Sequence, residues 1–294
     1  MESVLIVNPA SGQGKAASRK RELLDLVSSM PEIQIRSTSA PDDALHLARE
    51  AAESGCERII AAGGDGTINQ IINGIGDRDI ALGVVPLGTG NVLARELGMH
   101  LLSVPEALAV VQTGRTRLVD VATANGTRFL LMAGFGFDAA VVDSVSPKLK
   151  DRAGVFAYGP AIVRQLIKFA PRRFRLAAED GVLLEVEAFA VIAANCSSYA
   201  CGVRVAPEAS LDDGLLDVVV FEKSPWGKLT FLRQAAKVVW QSHLSERGVT
   251  CFRTAALRVE SEPECQVQLD GDVWGEGRVD LRVLPNALRL VVRS

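Results

Sequence analysis

Three glycine-rich turns carry the clearest chemistry in this chain. They read Ser11-Gly12-Gln13-Gly14, Gly63-Gly64-Asp65-Gly66-Thr67 and Gly88-Thr89-Gly90-Asn91. Glycine lets a backbone approach a phosphate closely, and the N–H groups that open a following helix can bind the anion. One such turn alone is what any tight strand-to-helix connection looks like. Three of them, furnished with an Asp, an Asn and Ser/Thr hydroxyls, point to a phosphate site. It is not a Walker A loop, because Gly14-Lys15 is followed by Ala16 and the spacing is wrong. Nor is it the dinucleotide fingerprint.

The elements around the turns say how they are held. Short apolar runs at Val4 to Val7, Arg58 to Ala62 and Ile80 to Val85 read as buried strands, each leading into one turn. Ile33 to Arg36 adds a fourth. Helical patterns follow around Leu23 to Val27 and over Pro41 to Glu53, Ile68 to Ile75, Val92 to Leu97 and Val104 to Gln112. Strand, turn and helix in repetition predict a mostly parallel, doubly wound sheet, whose ligands collect at the strands' carboxyl ends. From about Val119 the texture changes. Strand patterns such as Arg128 to Ala133, Phe174 to Ala178, Leu184 to Asn195, Leu216 to Phe221, Val279 to Leu284 and Ala287 to Val292 are separated by Asn-Gly, Asp-Gly or Pro-Asn turns. The expected fold is therefore α/β plus all-β. An α/β nucleotide-binding domain spans 1–120. An antiparallel β-sandwich spans 121–294, with helical stretches near 154–170 and 225–245 and last strands that return toward the first domain.

Composition narrows the function classes. The 294 residues are 48% hydrophobic and 23% charged, with a formal net charge of −3, so the chain is globular and no nucleic-acid polycation. No apolar run reaches the roughly 18 residues of a membrane span. The N-terminus lacks a basic n-region, so no secretory signal is expected. Five scattered Cys and three isolated His predict buried thiols in a reducing compartment and no zinc site. A cytoplasmic protein is expected, and an oligomer is compatible with the sequence.

Asn8-Pro9-x-Ser11-Gly12, Gly63-Gly64-Asp65-Gly66-Thr67-x-Asn69 and Pro86-Leu87-Gly88-Thr89-x-Asn91 resemble, in order and spacing, the catalytic domain of the diacylglycerol kinase and sphingosine kinase superfamily. Farther on, Pro207 to Asp217 is similar to the family's structural magnesium loop, and Gln268-Leu269-Asp270-Gly271-Asp272 to its catalytic segment. The resemblance covers nearly the whole chain, while the Gly-Gly-Asp-Gly-Thr piece is shared more loosely with NAD kinases. It implies an NAD-kinase-like first domain and an ATP- and magnesium-dependent transfer of phosphoryl to a lipid hydroxyl, on diacylglycerol, a sphingoid base or a related lipid. By the same resemblance Gly63, Gly64, Asp65, Gly66, Thr67 and Asn69 wrap the ATP phosphates, with Asn8, Ser11, Gly12, Thr38, Gly88, Thr89 and Asn91 also at the nucleotide. Asp65 stands beside the transferred phosphoryl group, and Asp120 is a supporting acidic residue. Asp213 binds a structural magnesium with the backbone carbonyls of Ser210 and Leu215, and Asp272 is the general base.

Two positions depart from the family pattern. Val92 stands where diacylglycerol kinases of this type carry Asp, and it cannot bind magnesium. The version with a small apolar residue is nearer to sphingosine kinases. Asp272 replaces the family's Glu and is shorter by one bond, about 1.5 Å, and a misplacement of about 1 Å can cost roughly a hundredfold in rate. These departures motivate one rival, a nucleotide- or lipid-binding pseudokinase. The other rival is a kinase of a soluble acceptor, as NAD kinases are.

A basic segment bears on the choice. Residues 145–175 hold eight Lys/Arg and one acidic residue. Within it Ile162, Val163, Leu166 and Ile167 fall on one helical face and Arg164, Gln165 and Lys168 on the other. Such a helix can lie on an anionic bilayer, which would place the enzyme peripherally at the inner face of the membrane, or it can pack on the sandwich. Trp226 to Trp240 has a similar pattern and is expected to pack in the core.

Overall fold

The computed structural model describes residues 3–9, 11, 15–145, 158–178, 181–199, 202–224 and 227–293. Contacts divide the chain into two compact units, Met1–Val119 with Asn286–Ser294, and Asp120–Pro285.

The first unit is a parallel sheet. Strands β1 (Ser3–Val7), β2 (Ile33–Ser37), β3 (Arg58–Gly63) and β4 (Ala81–Pro86) lie in the order β2-β1-β3-β4. Strands β1, β3 and β4 are almost wholly buried because both faces are covered, whereas the edge strand β2 carries Gln34 and Arg36 and is largely exposed. One face of the sheet, with Leu5, Val7, Ile60, Ala62 and Val85, packs on α1 (Lys15–Val27) and α5 (Val104–Thr113). Helices α2 (Asp43–Glu53) and α3 (Asp65–Ile75) pack on each other so closely that a Cβ on Gly74 would lie 2.4 Å from the Leu45 carbonyl oxygen. A short α4 (Val92–Glu96) precedes α5. The chain steps outward from β1 to β2 and then back past β1 to β3. The order therefore reverses between β1 and β3, which is where open α/β sheets bind ligands. The register aligns Val7 with Ser37 and Ala62, and Gly63 with Pro86, so four strand ends share one edge.

The second unit is built mainly of antiparallel strands. They are the end of β5 (Arg115–Ala124), β6 (Thr127–Phe129), β7 (Met132–Gly136), β8 (Arg172–Ala178), β9 (Gly181–Ala194), β10 (Leu216–Glu222), β11 (Val249–Thr254), β12 (Ala256–Glu262), β13 (Gln266–Leu269), β14 (Asp272–Glu276) and the start of β15 (Val279–Val292). The long β9 carries β8 on its first half, and β7 and β10 on its second. Phe129, Phe135, Phe174, Leu176, Val191, Val218 and Val267 are among the residues of its core. Among the described residues three α-helices belong here: α6 (Phe137–Ser144), α7 (Tyr158–Lys168) and α8 (Lys228–Val239).

Three sequence expectations change. The single strand read over Arg128 to Ala133 is two, β6 and β7, interrupted where the Leu130 and Leu131 N–H groups turn to the Asp270 carboxylate. Pro285-Asn286 is no hairpin turn. Strand β15 runs through it, antiparallel to β12 before it and parallel to β4 after it, with Asn286 at φ 54°. Helix α8 is not a core helix on all sides. Phe231, Gln234 and Val238 are buried at helical spacing, whereas Leu229 is 67% exposed and Trp240, just past its end, 73%. The apolar run there is wider than one buried stripe, so part of it faces solvent.

Candidate active site

In the first unit the glycines let the loops at 63–67 and 88–91 close on one another. Gly64 precedes α3 as its N-cap and brings no side chain to cap the helix's first N–H groups. Gly88 lies against it: a Cβ there would be 2.5 Å from the Gly64 Cα. The N–H groups of Leu87 and Gly88 both donate to the Gly63 carbonyl, at 3.1 and 3.2 Å. Asn91 adopts φ 46° and donates from Nδ2 to the Gly88 carbonyl at 2.7 Å, which curls the third loop. Across the switch point, Asn8 Nδ2 donates to Thr67 Oγ1 at 3.2 Å, and the Asn8 N–H to the Ala62 carbonyl. The Thr38 N–H donates to the Val7 carbonyl, which puts Thr38 at the same edge.

Asp65 sits at the first turn of α3, half-buried, with Oδ1 accepting the Leu93 N–H at 3.2 Å. The carboxylate thus caps α4 from another element, because Asn91 uses its own side chain elsewhere. Gly90 matters here in a way the motif alone did not reveal. A Cβ at 90 would stand 3.0 Å from Asp65 Oδ2, so its absence keeps that oxygen uncrowded. Asn69 and Ser11 are half-buried and Thr89 exposed in the same loops. Gly12 lies outside the described residues.

The second unit builds its loops differently. The Asp270-Gly271 turn joins β13 to β14, with Leu269 paired to Asp272 and both turn residues at positive φ, 51° and 88°. That is the geometry an Asp-Gly hairpin turn supplies. Asp270 is buried, and its carboxylate accepts the N–H groups of Leu130, Leu131 and Met132 at 2.8 to 3.0 Å. Asp272 follows it and is exposed.

Asp120 is 1% exposed and counts with this unit. Its N–H donates to the Leu211 carbonyl and its Oδ2 accepts the Gly214 N–H, both at 2.6 Å, so it braces the loop that holds Asp213. In that loop Ser210 Oγ donates to Asp212 at 2.6 Å, and Asp213 Oδ1 accepts the Leu215 N–H at 3.1 Å. Arg253 lies 3.7 Å from Asp213 and donates to Asp217 at 2.9 Å. Among the described residues no group of three His, Cys, Asp or Glu is placed to hold a metal ion. A carboxylate with backbone carbonyls and water is nevertheless a hard-oxygen set of the kind magnesium takes.

Two buried polar residues of this unit escaped the sequence reading. Asn195, fully buried, donates from Nδ2 to the carbonyls of Asp120 and Leu130 and so ties the two loops together. Asp138, in the first turn of α6, takes hydrogen bonds from the Tyr199 hydroxyl and from Gln268 Nε2, the latter at 2.8 Å. Burial raises its pKa above the ordinary 3.8, against the lowering effect of both donors. The run Gly134-Phe135-Gly136 just ahead of it was the available signal.

The parallel sheet with its glycine loops, joined in one chain to the β-rich unit, is the NAD-kinase-like fold. The family model "Diacylglycerol kinase catalytic domain" matches residues 2–124, and "YegS C-terminal NAD kinase beta sandwich-like domain" matches residues 132–292. The chain is 30% identical over 274 residues to a diacylglycerol kinase of Bacillus subtilis, covering 92% of this chain and 89% of that one. It is 32% identical over 297 residues to a probable lipid kinase YegS-like of Chromohalobacter salexigens, covering 97% and 91%. A solved Bacillus anthracis diacylglycerol kinase shares the fold with a TM-score of 0.75 at 23% identity, over 99% and 97% of the two chains. An NAD kinase of Archaeoglobus fulgidus solved with ATP shares it more distantly, with a TM-score of 0.52 at 13% identity over 99% and 94%. The chain belongs to the diacylglycerol kinase family and is a lipid kinase, a phosphotransferase with an alcohol acceptor.

Proposed function

We propose that this enzyme transfers the γ-phosphoryl group of ATP, with magnesium, to the hydroxyl of diacylglycerol, a sphingoid base or a related lipid. The observation that carries this reading is the close approach of the 63–67 and 88–91 glycine loops beside Asp65, with Asn8 bonded to Thr67 at the same sheet edge. Open N–H groups at α3 and the backbone of Gly63 to Asn69 take the phosphates, with Asn8, Ser11, Thr38, Thr89 and Asn91 lining the nucleotide. Phosphoryl transfer needs such positioning and charge neutralisation more than covalent help. Asp65 would help hold the catalytic magnesium or the acceptor hydroxyl. Asp272 takes the hydroxyl proton. Asp213, with the carbonyls of Ser210 and Leu215, would hold a second, structural magnesium in the loop that Asp120 braces. The ion supplies charge neutralisation there.

The enzyme meets its substrate at the anionic inner face of a membrane. On α7, Val163 is 59% and Ile167 73% exposed beside Arg164 and Lys168. The neighbouring α8 adds exposed Leu229, Leu232 and Val239, and its Lys228 Nζ donates to the Ile167 carbonyl. The lysines and arginine at 148, 150 and 152 lie outside the described residues. No helix among the described residues is long and apolar enough to cross a membrane.

The test is incubation with labelled ATP, magnesium and mixed micelles of diacylglycerol, monoacylglycerol, sphingosine, ceramide and a polyprenol. A labelled lipid lost on Asp65→Ala is expected. Label on none of them, from protein that still binds ATP, overturns the lipid acceptor. In parallel, the protein should pellet with phosphatidylglycerol vesicles and Ile167→Glu should pellet less.

A further inference from the structure

Gln268 is buried at 1% exposure on β13, opposite Gly134 of β7. Its amide is committed at both ends. Oε1 accepts the Gly271 N–H at 2.7 Å, and Nε2 donates to Asp138 Oδ2 at 2.8 Å. A flipped amide would set donor against donor at Gly271 and oxygen against oxygen at Asp138, so the carboxylate fixes which way the amide points. Room for this carboxylate is made by Gly134, where a Cβ would fall 1.7 Å from Asp138 Oδ2 and 2.6 Å from Gln268 Nε2. Asp138 is held in turn by the Tyr199 hydroxyl. The other turn residue, Asp270, is fixed by its three backbone donors.

We propose that Asp138 and Gln268 are positioning residues for Asp272: Asp138 orients the Gln268 amide, and Gln268 holds the Gly271 N–H of the turn that presents Asp272. The proposal rests on Asp272 being the general base. A side chain one bond shorter than Glu tolerates little play, because a misplacement of about 1 Å costs on the order of a hundredfold in rate. A turn pinned through both of its residues supplies that constancy.

The test compares Gln268→Met, Asp138→Ala, Asp138→Asn and Asp272→Ala in the full chain. Gln268→Met keeps length and burial but loses both bonds. It should lower kcat by roughly a hundredfold, leave KM for ATP unchanged, and speed hydrogen exchange at the Gly271 amide. Asp138→Ala should do the same. Asp138→Asn should recover most of that loss, since its oxygen can accept from Gln268 while its Nδ2 donates to the Tyr199 oxygen. If Asp138→Ala does not fold, Gln268→Met and Asp138→Asn carry the comparison. Wild-type kcat and wild-type Gly271 exchange in Gln268→Met would overturn the positioning role even with Asp272→Ala inactive. Full activity in Asp272→Ala would instead overturn the base, and the Gly271 exchange rates would still report whether Gln268 pins the turn.

Discussion

The two units build their functional loops from opposite materials. In the α/β unit the loops are shaped by what is missing: Gly64 and Gly88 touch backbone to backbone, and Gly90 leaves Asp65 Oδ2 uncrowded. In the β-rich unit they are shaped by buried carboxylates that satisfy backbone N–H groups, Asp270 for residues 130–132 and Asp120 for Gly214. The difference follows from what each loop must do. On the proposed reading, a phosphate loop leaves its N–H groups to the ligand, and no side chain caps α3. A loop that presents one carboxylate at a fixed place has its own N–H groups consumed internally, because unsatisfied buried donors are costly.

Removing the acceptor from the β-rich unit should have the largest effect. Asp270→Ala strands three N–H groups that the carboxylate now serves, each worth about 1–3 kcal/mol when left buried without a partner. Thermal unfolding should start many degrees lower and the isolated β6–β7 break should lose its protection in hydrogen exchange. An unchanged melting profile would mean that water replaces the carboxylate, and that the turn is not internally held.

Adding a methyl to the glycine unit should have the next largest. Gly88→Ala places a Cβ 2.5 Å from the Gly64 Cα, against backbone that cannot swing aside. Overpacking of this kind costs about 1–3 kcal/mol. Here it should appear chiefly as ATP affinity at least tenfold weaker by titration calorimetry, with the β-rich unit's exchange protection intact. Gly98→Ala, with open space around it but φ +67°, is the control for backbone strain alone. Equal losses in both would remove the claim that contact between the two loops shapes the site.

The contrast also explains what could be read from the sequence. The glycine loops were legible because close backbone approach demands one residue type at fixed spacing, and β1, β3 and β4 with their three turns lie where the apolar runs ended. The carboxylate-held loops were legible only in part. Asp270, Asp213 and Asp120 stand out by motif, but nothing local says that Asp270 faces inward to Leu130, 140 positions away, while Asp272 faces solvent. Asn195 and Asp138 act across gaps of 75 and 130 positions. The β6–β7 break was missed for the same reason, since its cause is a side chain far along the chain. Pro285-Asn286 misled because turn chemistry and a bend within a strand that passes between units use the same residues.

The smallest effect tests the cost of building with buried acids. Burial lifts the Asp138 pKa above its ordinary 3.8, and the hydrogen bonds from Tyr199 and Gln268 only partly oppose this. The folded state therefore holds that proton more tightly than the unfolded chain. Stability from the protonated form is fully present below the unfolded pKa and is lost as pH rises through the folded one. Asparagine at 138 keeps both neighbours and titrates nowhere. Melting temperatures of Asp138→Asn and wild type should lie closest near pH 4. The variant should gain on the wild type as pH rises, by a few degrees, and the gap should level off once Asp138 is ionised. A gap that shrinks with rising pH would mean the ionised carboxylate is the better-held form. The buried carboxylate would then stabilise this unit at neutral pH through the bonds it accepts from Tyr199 and Gln268.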